Sequence, residues 1–212
     1  MSKYKEPGKG GNIGRLVLAS ASPRRRELLT QIGAEYEVMP SQAEEKTKKE
    51  RPEDVVCELS FQKASDIGLA LERQGEDGYT VIGADTVVAF QGIVMGKPKD
   101  EKEACWMLGM LQGNTHQVYT GVTLYVKREG HPAKCRTFYE KTEVSMYPMS
   151  PEEIEAYTAT GEPMDKAGAY AVQGRCAAYI KGICGDYNNV VGLPVGRLYQ
   201  ELKQEWGQEQ EG

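Results

Sequence analysis

Apolar residues along this chain fall either in short unbroken runs or at helical intervals, and the two patterns predict alternating strands and helices. The run Arg15 to Ser20 (RLVLAS) reads as a short strand. Ser22-Pro23, directly after it, reads as a helix start, with Ser at the N-cap and Pro at the first helical position. That helix should close near Gly33, a suitable C-cap residue. Between Pro52 and Gln74, Val56, Leu59, Ile67 and Ala70 recur at three- and four-residue spacing and predict a second helix. Lys63 falls on the same stripe.

Further along, YTVIGADTVVAF (residues 79 to 90) predicts a strand interrupted near Gly83, which would leave Asp85 at a strand end. Gln91-Gly92 marks a hairpin into IVMG. Asp100-x-x-Glu103 and Ser150-x-x-Glu153 carry the signature of a capping box, and the first of these helices should end near Gly113. HQVYTGVTLYVK and CRTFYEKTEVSMY predict two long antiparallel strands, AAYIKGI another strand, and LPVGRLYQELKQEW a closing helix. Helices alternate with strands while at least one connection is a long hairpin, so the fold class is α/β with a sheet of mixed direction. The expected organisation is a loose leader over residues 1 to 13, one domain over 14 to 206 and a frayed tail over 207 to 212.

Composition adds mostly exclusions. A 40% hydrophobic and 27% charged chain of 212 residues is ordinary for a soluble globular protein. The formal net charge of -5 argues against nonspecific nucleic-acid binding, so any polyanionic ligand must be met by local positive charge. The five cysteines include no C-x-x-C pair, which disfavours a disulfide framework and a zinc knuckle and suggests buried thiols in a reducing compartment. With neither a signal-peptide core nor a bilayer-length apolar run, the expected location is the cytoplasm, with no membrane partner.

Against that acidic background, LVLASASPRRRELL stands out for three adjacent arginines after a strand and two serines. A strand followed by small residues and a helix opening presents backbone N–H groups and the positive end of the helix dipole to an anion. Ser20 and Ser22 add hydroxyls, while Arg24 and Arg25 add planar forks suited to phosphate oxygens. A plain capping serine with solvated arginines explains the segment about equally well, and Arg26 reads as surface.

Three further signals are individually weak. Asp85 sits among Val81, Ile82, Val87 and Val88, where an unpartnered carboxylate is costly, so a cation should accompany it. Lys97 is held between Gly96 and Pro98, and Lys63 lies on an apolar stripe from which lysines commonly snorkel to water. Glu44 and Glu45 offer oxygen ligands of the kind that Mg²⁺ or Mn²⁺ shares with substrate phosphates, though paired glutamates in a polar segment are more often solvated.

Taken together, SASPRR (20 to 25), Glu44-Glu45, the Lys63 helix, ADTVV (84 to 88), GKP (96 to 98), GEPMDKAGAYAVQG (161 to 174) and GDYNNVVGLP (185 to 194) resemble the Maf family. The resemblance runs in order over about residues 15 to 203. It implies a nucleoside triphosphate pyrophosphatase, requiring Mg²⁺ or Mn²⁺, that splits the bond between the α and β phosphates. It also implies a long twisted sheet flanked by helices, two lobes around a cleft as in inosine triphosphatases, and a homodimer.

By the same resemblance, Asp85 matches the family's proton acceptor, Glu45, Lys63 and Lys97 match functional charged positions, and Ser20, Ser22 and Arg25 match the triphosphate loop. Arg24, Thr86 and Gln173 match the positions that mark the dTTP- and UTP-preferring branch. Many relatives have Asp-Glu where this chain has Glu44-Glu45, which leaves open whether Glu44 or Glu45 faces the metal; Glu45 is the candidate kept, with Asp85 either a second ligand or the proton acceptor. The chemistry of Gln173 points the same way, because a carboxamide can both donate to O4 and accept from N3–H of uracil or thymine. A non-catalytic nucleotide-binding regulator of cell division is the alternative, although such a binder has no need of the acidic set. A His-based triad or a zinc enzyme is disfavoured, since the chain has two histidines and no G-x-S-x-G.

Overall fold

The computed structural model describes residues 15–207; the expected leader and most of the expected tail lie outside them. The elements run β1 (Arg15–Leu18), α1 (Pro23–Gln31), β2 (Glu37–Val38), α2 (Pro52–Arg73), β3 (Tyr79–Phe90), β4 (Ile93–Met95), α3 (Glu101–Leu111), β5 (Thr115–Lys127), β6 (Lys134–Met146), α4 (Pro151–Thr158), β7 (Ile180–Cys184), α5 (Tyr187–Val191) and α6 (Val195–Gly207), with three 3-10 turns between α4 and β7.

One seven-stranded sheet, in the order β2-β1-β3-β5-β6-β7 with β4 also on β3, organises these elements. The β2-β1-β3 part is parallel and the β3-β5-β6-β7 part antiparallel, as the alternation of helices with a long hairpin predicts. Strands β3, β5 and β6 span 12 to 13 residues and run through two halves of the molecule. In the first half, α2 covers one face through Ala64, Ile67 and Leu71, while α1, α5 and α6 cover the other through Leu28, Leu29, Val191, Leu198 and Leu202. In the second half, α3 and α4 pack over Val88, Phe90 and Val144. The cleft lies where the halves meet.

Several local expectations change. Strand β3 is not interrupted at Gly83, so Asp85 lies in mid-strand, paired with Gly121 of β5. The missing side chain serves packing instead: a Cβ at Gly83 would lie 2.7 Å from the backbone nitrogen of Ala64, and one at Gly121 would lie 2.8 Å from that of Cys57. The two glycines let α2 come down onto the sheet, and the β-branched residues around them keep the strand extended. Ser22 occupies the N-cap of α1 without a side-chain capping bond, which leaves its hydroxyl available. Ser150-x-x-Glu153 forms a full capping box, whereas Glu103 reaches past the N-cap to the Lys99 N–H. Residues 175–179 form a 3-10 turn, so β7 starts later than AAYIKGI suggests, and the short α5, capped by Asp186, was not among the predicted elements. Of the thiols, Cys176 alone is buried, while Cys135 and Cys184 are exposed. No helix among the described residues is long and apolar enough to cross a membrane.

Candidate active site

Strand β1 pairs with β3 only as far as Ile82, and β4 pairs with β3 only from Val88. Residues 83–87 of β3 therefore have no strand neighbour on that side, and the opening lies just past the carboxyl end of a parallel strand, a usual place for ligands in such sheets. A cleft of ≈ 440 Å³ forms there. Its walls include Ser20, Ser22, Arg24, Arg25, Glu45, Lys63, Asp85, Thr86, Lys97 and Gln173, all singled out from the sequence, but not Glu44.

The pleat of β3 sends consecutive residues to opposite faces. Asp85, 7% exposed, turns toward α2, where the Lys63 ammonium lies 2.6 Å from its Oδ1. Lys63 also lies 3.0 Å from Oε1 of Glu45, so two carboxylates converge on one cation. The stripe position of Lys63 thus reflects a buried ion pair and not a snorkelling chain. Glu44 is outside this arrangement, paired with Lys46 and exposed.

Thr86 turns the other way, toward α1, where its hydroxyl accepts from Nη2 of Arg25 at 3.1 Å. Arg25 also donates from Nη1 to Ser20 Oγ at 3.1 Å and from Nε to the Gly192 carbonyl at 2.8 Å. All three partners are uncharged, and among the described residues Arg25 forms no ion pair. Burial pushes its pKa down, with Arg24 adding to the effect and Asp85 and Glu45 opposing it. A guanidinium stays protonated regardless, so the protein holds a fixed, partly desolvated positive charge against the cleft.

Behind Arg25 runs a polar chain that the sequence did not reveal. Thr86 shares a hydrogen bond with Thr120 at 2.9 Å, and Thr120 donates to the Asn189 carbonyl at 3.0 Å. The Asn189 amide donates to Val118 O and to Thr142 Oγ1. This is how GDYNNVVGLP reaches the site: α5 is locked to the sheet and delivers the Gly192 carbonyl to Arg25. Its only sequence signal is that two asparagines and two glycines crowd one short segment.

At the rim, Lys97 is exposed and has no ion-pair partner among the described residues, and its loop is docked by the Gly168 N–H on the Gly96 carbonyl. Arg24 donates to Asp165 through Oδ2 at 3.1 Å and through the backbone carbonyl at 3.3 Å. Burial raises the Asp165 pKa, but the hydrogen bonds from Lys166 and Arg24 outweigh it and hold the carboxyl below its ordinary value. Gln173 is exposed, makes no hydrogen bond among the described residues, and lies outside any core network. Of Arg24, Thr86 and Gln173, it alone has a polar end without a partner among the described residues.

Among the described residues no cluster of three or more His, Cys, Asp or Glu side chains could cage a metal. The Glu45–Asp85 pair nevertheless fits a hard divalent ion, because Mg²⁺ usually takes one or two carboxylates and completes its shell with water and substrate phosphates. The ammonium that both carboxylates share shows that they can converge on a single positive charge.

A strand-bounded cleft with two carboxylates on one wall and fixed cations on the others defines a polyanion-handling α/β protein. The profile of Maf-like proteins matches residues 15–205, and the chain belongs to that family. It is 54% identical over 200 residues to a dTTP/UTP pyrophosphatase of Agathobacter rectalis, covering 90% of this chain and 97% of that one. A second dTTP/UTP pyrophosphatase, from Lachnoclostridium phytofermentans, is 50% identical over 188 residues, covering 89% of this chain and 93% of the relative.

Proposed function

We propose that this protein is an enzyme that hydrolyses dTTP and UTP to the nucleoside monophosphate and diphosphate. Long, nearly full-length similarity to two proteins of that name supports the reading. The structural observation that carries it is the pairing of opposites in one cleft: Arg25, held by neutral acceptors only, faces a polyanion, and Asp85 with Glu45 faces the cations that accompany one.

In this mechanism Arg25, Ser20 and Ser22 bind the phosphate tail, with the loop before α1 supplying further donors. Lys63 and Lys97 offset the charge that gathers on the leaving diphosphate. Water attacks the α-phosphorus in line, the α-β bridging P–O bond breaks, and the water's proton passes to the Asp85 carboxylate. Glu45 and Asp85 would hold Mg²⁺ or Mn²⁺, which when bound polarises the phosphoryl group and acidifies water. Gln173 offers its free carboxamide to O4 and N3–H of the base; a glutamate would better suit the donor-rich edge of guanine.

The proposed setting is the cytoplasm and the proposed assembly a homodimer, which light scattering would test. The test of activity is diphosphate release from dTTP, UTP, CTP, GTP and methylated GTP, with and without Mg²⁺ or Mn²⁺. UTP and dTTP should be split fastest and only with metal. Release of orthophosphate in place of diphosphate, or faster turnover of GTP, would overturn the proposal.

A further inference from the structure

The Gln173 side chain has no hydrogen bond among the described residues, so its place in the cleft is set by its backbone. Residues 171 to 174 form a turn, with the Gly174 N–H donating to the Ala171 carbonyl at 3.3 Å and Val172 and Gln173 at its centre. Both feet of that turn hang on one side-chain pair. The Tyr157 hydroxyl accepts from the Ala171 N–H at 3.3 Å and donates to Oε1 of Glu162 at 2.8 Å. The Glu162 carboxylate then accepts from the Arg175 N–H through both oxygens, at 3.1 and 3.2 Å.

The carboxylate lies flat on the turn only because residue 174 has no side chain: a Cβ there would overlap Glu162, with Oε2 at 2.7 Å. Tyr157 is anchored in turn, 5% exposed in the core of the second half. The 3-10 turn that begins at Glu162 ends at Asp165, which grips Arg24. A single short segment thus fixes two residues that face the substrate.

We infer that Tyr157 and Glu162 are positioning residues for base selection, forming a clamp that holds the Gln173 turn in register with the bound nucleobase. Neither side chain lines the cleft. They act through the backbone of residues 171–175, by removing freedom that an exposed turn would otherwise have. Without the clamp the Gln173 carboxamide samples positions from which it cannot meet both polar atoms of the base edge, and discrimination falls. This rests on the pyrimidine reading above.

The test uses Tyr157→Phe, which keeps the ring in the core, and Glu162→Gln, which keeps the shape but can no longer accept on both oxygens. For each, kcat and KM are measured with UTP and GTP, together with the inhibition constant of inorganic tripolyphosphate, which has phosphates and no base. The UTP-over-GTP preference should fall by roughly tenfold, with KM for UTP rising more than kcat falls. Tripolyphosphate inhibition should stay within about twofold of the parent, because the phosphate end of the cleft is untouched. Parental preference and KM in both variants would overturn the clamp, and so would equal weakening of UTP and tripolyphosphate, which signals general loosening. A parent protein that prefers another base sinks the pyrimidine reading alone, since the clamp is then read on the nucleotide it does prefer.

Discussion

The ammonium of Lys63, on a helix, lies 2.6 Å from the carboxylate of Asp85, in the middle of a strand. Few pairs in the molecule depend on as much of the fold. The helix must press on the sheet, the strand must stay extended across Gly83, and the loop after β2 must bring Glu45 to the same ammonium.

Replacing Asp85 with Asn keeps the size of the side chain and removes its capacity to take a proton or hold a cation strongly. Diphosphate release from UTP should drop at least ~10²-fold, the low end of what general base catalysis supplies. Circular dichroism and the thermal midpoint should stay close to the parent.

Arg25 reaches three acceptors spread over α1's leading loop, β3 and the turn after α5. A lysine carries the charge but cannot span all three. Arg25→Lys should therefore raise KM for UTP by about 10- to 100-fold, the equivalent of one or two charge-assisted hydrogen bonds. Steady-state kinetics would show it, and parental KM would refute it.

Gly121→Ala places a methyl group against the Val56–Cys57 backbone, which cannot swing aside as a side chain does. The helix must lift, at a cost of about 3 kcal/mol in chemical denaturation. Because Lys63 rides on that helix, kcat/KM should fall as well, by ~10-fold or more for a displacement approaching 1 Å.

His116 is fully buried, with Nε2 hydrogen-bonded to the Tyr170 hydroxyl at 2.7 Å and Nδ1 without a partner. Burial lowers its pKa to about 4, against 6.5 for an ordinary imidazole. Between those values the unfolded chain binds a proton that the folded one does not. The stability this neutral histidine allows is complete above pH 6.5 and is lost as the pH falls toward 4, by about 3 kcal/mol in all. His116→Gln can still bond Tyr170 but cannot titrate, so its stability should fall less steeply across that window than the parent's.

Much of this was legible in the chain. Ser150-x-x-Glu153 announced its capping box, Gln91-Gly92 its hairpin, and the stripe of α2 its buried face, because each signal acts over a few residues of backbone. Every side chain picked out for chemistry except Glu44 does border the cleft. Gly83 misled, since its local tendency to break a strand was outweighed by the packing of a helix far along the sequence.

Sequence alone determined the mixed α/β class and the stock of charged, hydroxyl and amide groups, because hydrophobic spacing, caps and motifs are short-range properties. Only the tertiary structure decided which of them meet: Glu45 and not Glu44 beside Lys63, Arg24 on Asp165, Arg25 on Gly192, and Gln173 left free on a turn held from behind. The first three of these contacts join residues 18 to 167 positions apart, with Asp165 lying 141 positions from Arg24. At such distances no local preference of the backbone operates; strand order, the two-residue pleat of β3 and the close approach of α2 set the geometry instead.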